Sequence, residues 1–335
     1  MLPSPPDRAL SSSRTVAILG GGVAGMSCAL WLKHLAFWPV LIEPGMTLGG
    51  QLLCINRINR WILGIQGLTG PALAALYGRH IVDEAIEVHL GAKLVSIIVE
   101  DSGFRLYLRE HEHHTASLFA RALVIATGLR VNSSEILYSI PGALPLCESG
   151  LLTFFPLDHL EAMEALDGKR VAVIGGGDNA HFTVKDLASR TALTHLIIRS
   201  QSRAQSLVRQ EVEALIRHGR VKEHADALVT SFCQGSNGIT IGLTKNNFRT
   251  EHIEVDRIFA RIGFTPNTEC LNGLGPLTGL ERNNDGYVQV DARKRASLPF
   301  VYAIGDVANP NQSSVVTAMA DGAVAAMAIA KDVGV

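Results

Sequence analysis

Two glycine turns in this chain have the spacing that brings a diphosphate onto the start of a helix. The first is Val16-Ala17-Ile18-Leu19-Gly20-Gly21-Gly22-Val23-Ala24-Gly25. The second, Val171-Ala172-Val173-Ile174-Gly175-Gly176-Gly177-Asp178-Asn179-Ala180, lies 155 positions later, with Ala180 in the third glycine's place. In each, four apolar residues suited to a buried strand run into the pattern G-x-G-x-x-G. The first glycine allows the tight turn, the second lets a pyrophosphate approach the backbone, and the third lets helix and strand pack closely. The unpaired N–H groups at the helix N-terminus would then face the phosphates.

The two copies part company at the end of their second strand. Pro39-Val40-Leu41-Ile42 ends in Glu43 and Pro44, and an acid there can bind the ribose hydroxyls of an adenine dinucleotide. Thr194 to Ile198 ends in Arg199, with Arg203 close by. An arginine fork suits a phosphate, because it donates two charge-assisted hydrogen bonds. The five cysteines, Cys28, Cys54, Cys147, Cys233 and Cys270, form no CxxC pair and no zinc-ligand cluster. Such usage fits reduced thiols in a reducing compartment. His111 to His114 holds three histidines within four residues. Set between two strands, it reads as a solvated hairpin turn rather than a metal site.

A chain of 335 residues suggests roughly two domains. Hydrophobic content of 47% with 18% charged residues fits a globular α/β protein. A formal net charge of −1 supplies no basic field for nucleic acid. Thr15 to Leu32 is an uncharged run behind Arg8 and Arg14. Its central glycines and the following Glu43 favour a buried strand–turn–helix over a membrane segment. The first 14 residues, rich in Ser and Pro, read as a disordered tail. The expectation is a cytoplasmic protein without membrane or nucleic-acid partners.

The elements that must hold these residues follow from periodicity and punctuation. Met26 to Leu35 reads as the first helix, and Gly49-Gly50-Gln51-Leu52 as a loop where a ligand can approach the backbone. Thr69-Gly70-Pro71 opens a helix through about Tyr77. Val95 to Val99 and Phe104 to Leu108 alternate as strands around a turn at Asp101-Ser102-Gly103. Ala122 to Ala126, Thr127 and Gly128 form a buried strand and its turn, after which Pro141, Pro145 and Pro156 mark a domain crossing. Helices are expected over Leu157 to Leu166 and Gln210 to His218, with a small sheet reaching Phe259. Phe300 to Asp306 is a further strand, and Ser313 to Lys331 a long final helix. Two dinucleotide folds result.

The paired glycine motifs, Ala126-Thr127-Gly128 and Gly305-Asp306 resemble the two-dinucleotide-domain flavoprotein reductases. The nearer resemblance is to the low-molecular-weight thioredoxin reductases. It is carried by Gly49-Gly50-Gln51-Leu52, Trp61 with Gly64, Thr69-Gly70-Pro71, Gly263-Phe264-Thr265-Pro266-Asn267-Thr268 and Gly305-Asp306-Val307. It implies an α/β fold of two Rossmann-like, three-layer ββα dinucleotide-binding domains, the second inserted in the first. Residues 15–130 and 256–335 would form an FAD-binding domain, and 131–255 an NAD(P)-binding-like domain, with hinges near 129–135 and 250–258. FAD would run along Gly20, Gly22, Val23, Ala24, Gly25, Glu43, Pro44, Gly50, Gln51, Leu52, Arg60, Ala126, Thr127 and Gly128. Gly305 and Asp306 would meet its ribityl chain, and Ser314, Val315 and Thr317 at the last helix its pyrimidine edge. NADPH would take Gly175, Gly177, Asp178, Asn179, Ala180, Arg199 and Arg203. A homodimer is also implied.

The chain departs from that family in several places. Its disulfide pair is absent, and the stretch before the second glycine motif holds only Cys147. A dithiol takes two electrons from flavin, and one cysteine cannot cycle that way alone. Where the family carries an acid near the nicotinamide, this chain has Ala180-His181-Phe182-Thr183; an Arg-Gln pair is replaced by Ser313-Ser314, and Arg60 stands where Asn is common. The expected activity is therefore an FAD-dependent NAD(P)H oxidoreductase passing electrons from flavin directly to an external acceptor, protein or small molecule, as ferredoxin/flavodoxin–NADP⁺ reductases do. The alternatives are a single-cysteine disulfide reductase working through Cys147, and a flavin-binding protein in which Phe182 has closed the nicotinamide route.

Overall fold

The structure is a computed structural model that describes residues 14–111, 114–132, 137–156, 158–245 and 249–334. The expected tail, Arg14 apart, lies outside these residues, as do Leu157 and the two middle positions of the His111–His114 turn. The chain divides into two compact units, one ending at Arg130 and resuming at Thr265, the other running Val131–Phe264.

The first unit is built on a parallel sheet of five strands: β1 Thr15–Leu19, β2 Trp38–Glu43, β3 Glu87–Leu90, β7 Ala122–Ile125 and β18 Val301–Ala303. Their order across the sheet is β18-β7-β1-β2-β3. Alternation divides each central strand between two cores. Val16, Ile18, Ala122 and Val124 face α1 Val23–His34, α2 Gly70–Asp83 and α6 Val315–Val333. Ala17, Leu19, Leu123 and Ile125 face an antiparallel layer of β4 Lys93–Glu100, β5 Gly103–His111 and β6 His114–Ala120. Burial on both faces explains the unbroken apolar runs in β1 and β7. Gly322 lets α6 cross α1 closely, since a Cβ there would lie 2.7 Å from the Ala24 carbonyl oxygen.

The second unit repeats the plan. Its parallel strands are β9 Leu152–Thr153, β10 Arg170–Ile174, β11 Leu193–Ile197, β12 Val221–His224 and β16 Arg257–Ala260, in the order β12-β11-β10-β16-β9. Val171, Val173 and Phe259 face α4 Asp178–Leu187 and α5 Ser206–Arg217. Ala172, Ile174 and Ile258 face the antiparallel strands β13 Ala227–Gly235, β14 Gly238–Lys245 and β15 Thr250–Val255. A short helix, α3 Ala143–Glu148, packs on that same side through Ala143 and Leu146. The two units are thus α/β folds of three layers each.

Several boundaries differ from expectation. The second crossing lies at 264/265 rather than 255/256, because β16 pairs in parallel with β10 and completes the second unit's sheet. The hinge expected at 250–258 is accordingly occupied by β15 and β16. Short strands β8 Leu129–Val131 and β17 Phe264–Pro266 pair at the two crossings. The helix expected to end near Tyr77 continues to Asp83, since Ile81 extends the stripe begun by Leu73 and Ala74. The helix expected over Leu157 to Leu166 is broken into Asp158–Glu161 and a 3₁₀ turn, Met163–Leu166.

One buried polar pair bears on stability. His195 of β11 and His224 of β12 stack with ring centroids 5.2 Å apart, and their Nδ1 and Nε2 atoms are 2.9 Å apart. A single proton fits between those nitrogens. Burial and the neighbouring His224 push His195 down to about 4. The unfolded chain takes up that proton near pH ~6.5, so in the window below this value it binds more protons than the folded state. Stability is therefore complete above that window and falls as pH drops through it. We expect His195→Gln to flatten the loss of thermal stability between pH 7.5 and pH 4.5 by on the order of 2 kcal/mol. A wild-type and variant pair losing stability in parallel across that range would show that the pair does not titrate on unfolding.

Candidate functional site

In the first unit, the glycine turn is tight to the limit of backbone contact. Gly20 has φ +118°, and a Cβ there would stand 2.4 Å from the Ala126 carbonyl oxygen. A Cβ on Gly25 would stand 2.0 Å from the Gly20 carbonyl oxygen. Gly22 is different: it caps α1 without a side chain, and its nearest Cβ neighbour is the Gly50 Cα at 4.0 Å. Open space therefore sits beside the free N–H groups of α1, where no acidic side chain occupies the first turn. Such a cradle fits an anionic diphosphate.

The residues around this cradle are held by one another. Glu43 accepts the Gly21 N–H and the Gly45 N–H, each at 2.7 Å, so its carboxylate is fixed beside the turn. Pro44 stands between them. The Gly49 N–H donates to the Gly21 carbonyl at 2.9 Å and brings Gly50, Gln51 and Leu52 alongside. Gln51 donates to the Leu129 carbonyl at 2.7 Å. The Thr127 hydroxyl donates to the Asn267 carbonyl, and the Asn267 N–H returns to Gly128. Gly305, at φ +68°, leaves no room for a Cβ against Ala24. Asp306 beside it is pushed up to about 6, chiefly by burial, with Asp321 adding and a hydrogen bond from Ser313 opposing. Ser314 caps α6 by accepting the Thr317 N–H at 3.1 Å, ahead of Val315 at the first helical position. Arg60, by contrast, lies on an exposed loop and joins none of these contacts among the described residues.

The second unit holds a cleft of about 770 Å³. Its polar wall is Gly175, Gly176, Gly177, Asp178 and Asn179 on one side and Arg199 and Arg203 on the other; Leu137, Ile140, Phe154 and Pro156 supply an apolar end. Gly175, at φ +147°, would put a Cβ 2.2 Å from the Arg261 carbonyl oxygen, whereas a Cβ on Gly177 meets nothing within 4 Å. Ala180 is buried beneath the turn. Asp178 is engaged by Gln205, whose N–H and side-chain amide donate to the two carboxylate oxygens at 2.7 and 2.9 Å. Both arginines are exposed, and among the described residues neither guanidinium has an ion pair.

The two residues singled out for catalysis do not line this cleft. Cys147 sits at the end of the short α3 and packs partly against the core. Burial and then the charge of Glu148 push its thiol above the ordinary range, which suppresses the thiolate that redox chemistry needs. The Phe182 ring lies under the Lys185 ammonium, 5.8 Å from its centroid.

Three residues escaped the sequence reading. Asp321 is buried within α6, accepts the Gly305 N–H at 3.1 Å and pairs with Lys294 Nζ at 2.6 Å. The available signal was an acid in the middle of an Ala-rich helix, eleven positions before the terminal Asp332. Asn267 zips the Thr127-Gly128 turn, and His181 lies fully buried under the second glycine turn. Asn267 stands inside the Gly263–Thr268 motif and His181 in the stretch Ala180–Thr183, but residue type alone marks neither role.

Comparison with known proteins follows the same outline. The profile of a family described as pyridine nucleotide-disulphide oxidoreductase matches residues 14–322. The chain is 28% identical over 324 residues to glucosaminate ammonia-lyase of Pseudomonas fluorescens, covering 93% of each. It is 28% identical over 313 residues to NADH dehydrogenase of Bacillus subtilis, covering 93% of this chain and 57% of that one. Thioredoxin reductase of Lactococcus lactis superposes with a TM-score of 0.80 at 21% identity, over 96% of this chain and 99% of that one. The chain thus spans nearly all of one relative and little more than half of another. Among the described residues no helix is long and apolar enough to cross a membrane, and no cluster of metal-ligating side chains occurs.

The geometry predicts opposite outcomes for two glycine substitutions in the first turn. Gly25→Ala forces a methyl into the Gly20 carbonyl and should lower stability by about 1–3 kcal/mol in thermal unfolding. Gly22→Ala has room in the folded chain and should unfold like wild type, while its methyl fills the cradle and abolishes retention of added FAD. Equal stability of the two variants would contradict the assignment of tight and open positions.

Proposed function

The chain belongs to the pyridine nucleotide-disulphide oxidoreductases, and on that premise we propose that it is an FAD-dependent NAD(P)H oxidoreductase delivering electrons directly to an external acceptor. The observation that carries this reading is the combination of two intact nucleotide cradles with no cysteine pair to stand between flavin and acceptor. Bound FAD would supply the chemistry, taking a hydride from a nicotinamide and releasing electrons to the acceptor.

The residues of this chain have binding and electrostatic parts in that reading. The turn Gly20–Gly25, with the start of α1, would hold the FAD diphosphate, and Glu43 the adenosine ribose. Asp306, next to Gly305, whose N–H is held by Asp321, would meet the ribityl hydroxyls. The N-terminus of α6, capped by Ser314, would turn its positive end to the flavin and would favour an anionic reduced ring. In the second unit the turn Gly175–Gly177 would take the NADPH diphosphate. Arg199 and Arg203, both exposed and on the cleft wall, favour a 2′-phosphate over the bare ribose of NADH.

The ferredoxin/flavodoxin–NADP⁺ reductase type is the precedent we favour for the acceptor, since it shares two such domains and needs no dithiol. The raised thiol of Cys147 weighs against the single-cysteine alternative. An acceptor that is either a redox partner protein or a small molecule, a homodimeric state and a cytoplasmic location are further parts of the proposal.

Anaerobic titration of the purified holoprotein tests it. Stoichiometric NADPH should bleach the flavin's visible absorbance, NADH should do so only at higher concentration, and Cys147→Ser should bleach and turn over as wild type does. Failure of both nucleotides to bleach would favour the reading in which Phe182 closes the nicotinamide route. Loss of turnover in Cys147→Ser with an intact flavin spectrum would favour the disulfide reductase instead.

A further inference from the structure

We propose that His181 is a positioning residue for the 2′-phosphate subsite: through Ser202 it sets the loop that carries Arg203, and so governs how strongly the second unit prefers a phosphorylated ribose. The proposal rests on the reading of that unit as an NADPH site.

His181 lies in the first turns of α4 with no solvent exposure. Its Nδ1 is 3.0 Å from the Gly177 carbonyl oxygen, and its Nε2 is 3.1 Å from the Ser202 hydroxyl. A carbonyl can only accept, so Nδ1 carries the ring proton. In a neutral imidazole Nε2 is then a lone pair, and the Ser202 hydroxyl donates to it. Burial holds the ring neutral by lowering its pKa, and Arg209, 3.5 Å from Nε2, opposes a second proton there. The other acceptor for that hydroxyl, the Gly176 carbonyl oxygen, is farther away at 3.4 Å, so the shorter contact to Nε2 is the one the proton serves.

Ser202 passes the constraint along the loop. Its Oγ also receives the Ala204 N–H at 3.3 Å, which bridges the residues on either side of Arg203. The Arg203 N–H itself donates to the Gly176 carbonyl at 2.7 Å. Gln205 closes the far end on Asp178. The loop after β11 is thereby stapled to the glycine turn at residues 176, 178 and 181. The first two staples are a backbone contact and an exposed carboxylate, while the third is a buried ring. A phosphate held between Arg199 and Arg203 gains from a loop already in place, because ordering it at the moment of binding would subtract from affinity. The diphosphate cradle at Gly177 lies on the other side of the ring and does not pass through Ser202.

That separation gives a test on the full chain by calorimetric titration. The probes are adenosine 2′,5′-bisphosphate and adenosine 5′-monophosphate, which differ only in the 2′-phosphate. Ser202→Ala, at a half-buried position, should weaken the bisphosphate about fivefold and leave the monophosphate unchanged. His181→Leu should repeat that selective loss, and His181→Gln, whose amide can both donate and accept, should recover most of the wild-type preference. Equal weakening of both probes, or of neither, would overturn the positioning role. Wild-type protein binding the two probes equally would instead remove the 2′-phosphate reading itself, and this proposal with it.

Discussion

Backbone-to-backbone contact at Gly20 and Gly25 is the constraint on which the first unit depends. With a Cβ at Gly25 only 2.0 Å from the Gly20 carbonyl, helix α1 can lie against β1 solely because neither position has a side chain. That closeness points the start of α1 at the carboxyl ends of β1 and β2, where Glu43 and the Gly49-Gly50 loop assemble. It also sets the place of α6, which crosses α1 at Gly322, and of the turn at Gly305, which lies against Ala24. Gly322 of α6 meets the Ala24 carbonyl of α1, so the two ends of this unit's sequence are joined by the same absence of side chains.

The second unit uses the same turn for a different polarity. In both repeats the carbonyl of the middle glycine docks the loop returning from the second strand. Gly21 receives the Gly49 N–H at 2.9 Å, and Gly176 receives the Arg203 N–H at 2.7 Å. What the docked loop carries differs. The first brings glycines, beside a carboxylate fixed by two backbone donors, and so favours hydroxyl groups at its ribose end. The second brings two exposed guanidiniums and favours an anion. One backbone device thus docks two loops of opposite recognition chemistry.

Much of this was legible in the sequence because it depends on residue type. Buried parallel strands read as apolar runs, glycine spacing marked both turns, and Glu43 against Arg199 marked their different edges. Boundaries were less legible. The strand β16 was assigned to the wrong unit, since Arg257–Ala260 looks like any short apolar run and only its pairing with β10 decides its home. His181, Asn267 and Asp321 escaped for a related reason. Each acts through a partner far along the chain, and nothing in local spacing predicts which carbonyl or amide a folded chain will bring to a given side chain. Arg60 and Phe182 show the converse: as departures from the family pattern they stand out in the sequence, yet Arg60 joins none of the first cradle's contacts among the described residues and Phe182 does not line the second unit's cleft.

The environment of Cys147 bears on how far the chain has moved from disulfide chemistry. A reactive thiol needs a nearby cation or a helix N-terminus to stabilise its thiolate. Cys147 has the reverse, with burial, an adjacent Glu148 and a place at the C-terminal end of a six-residue helix. The cofactor cradles, by contrast, keep their close contacts and open glycines in both units. The absence of a CxxC pair beside two such turns is the pattern that the proposed direct transfer, with no sulfur relay, would require.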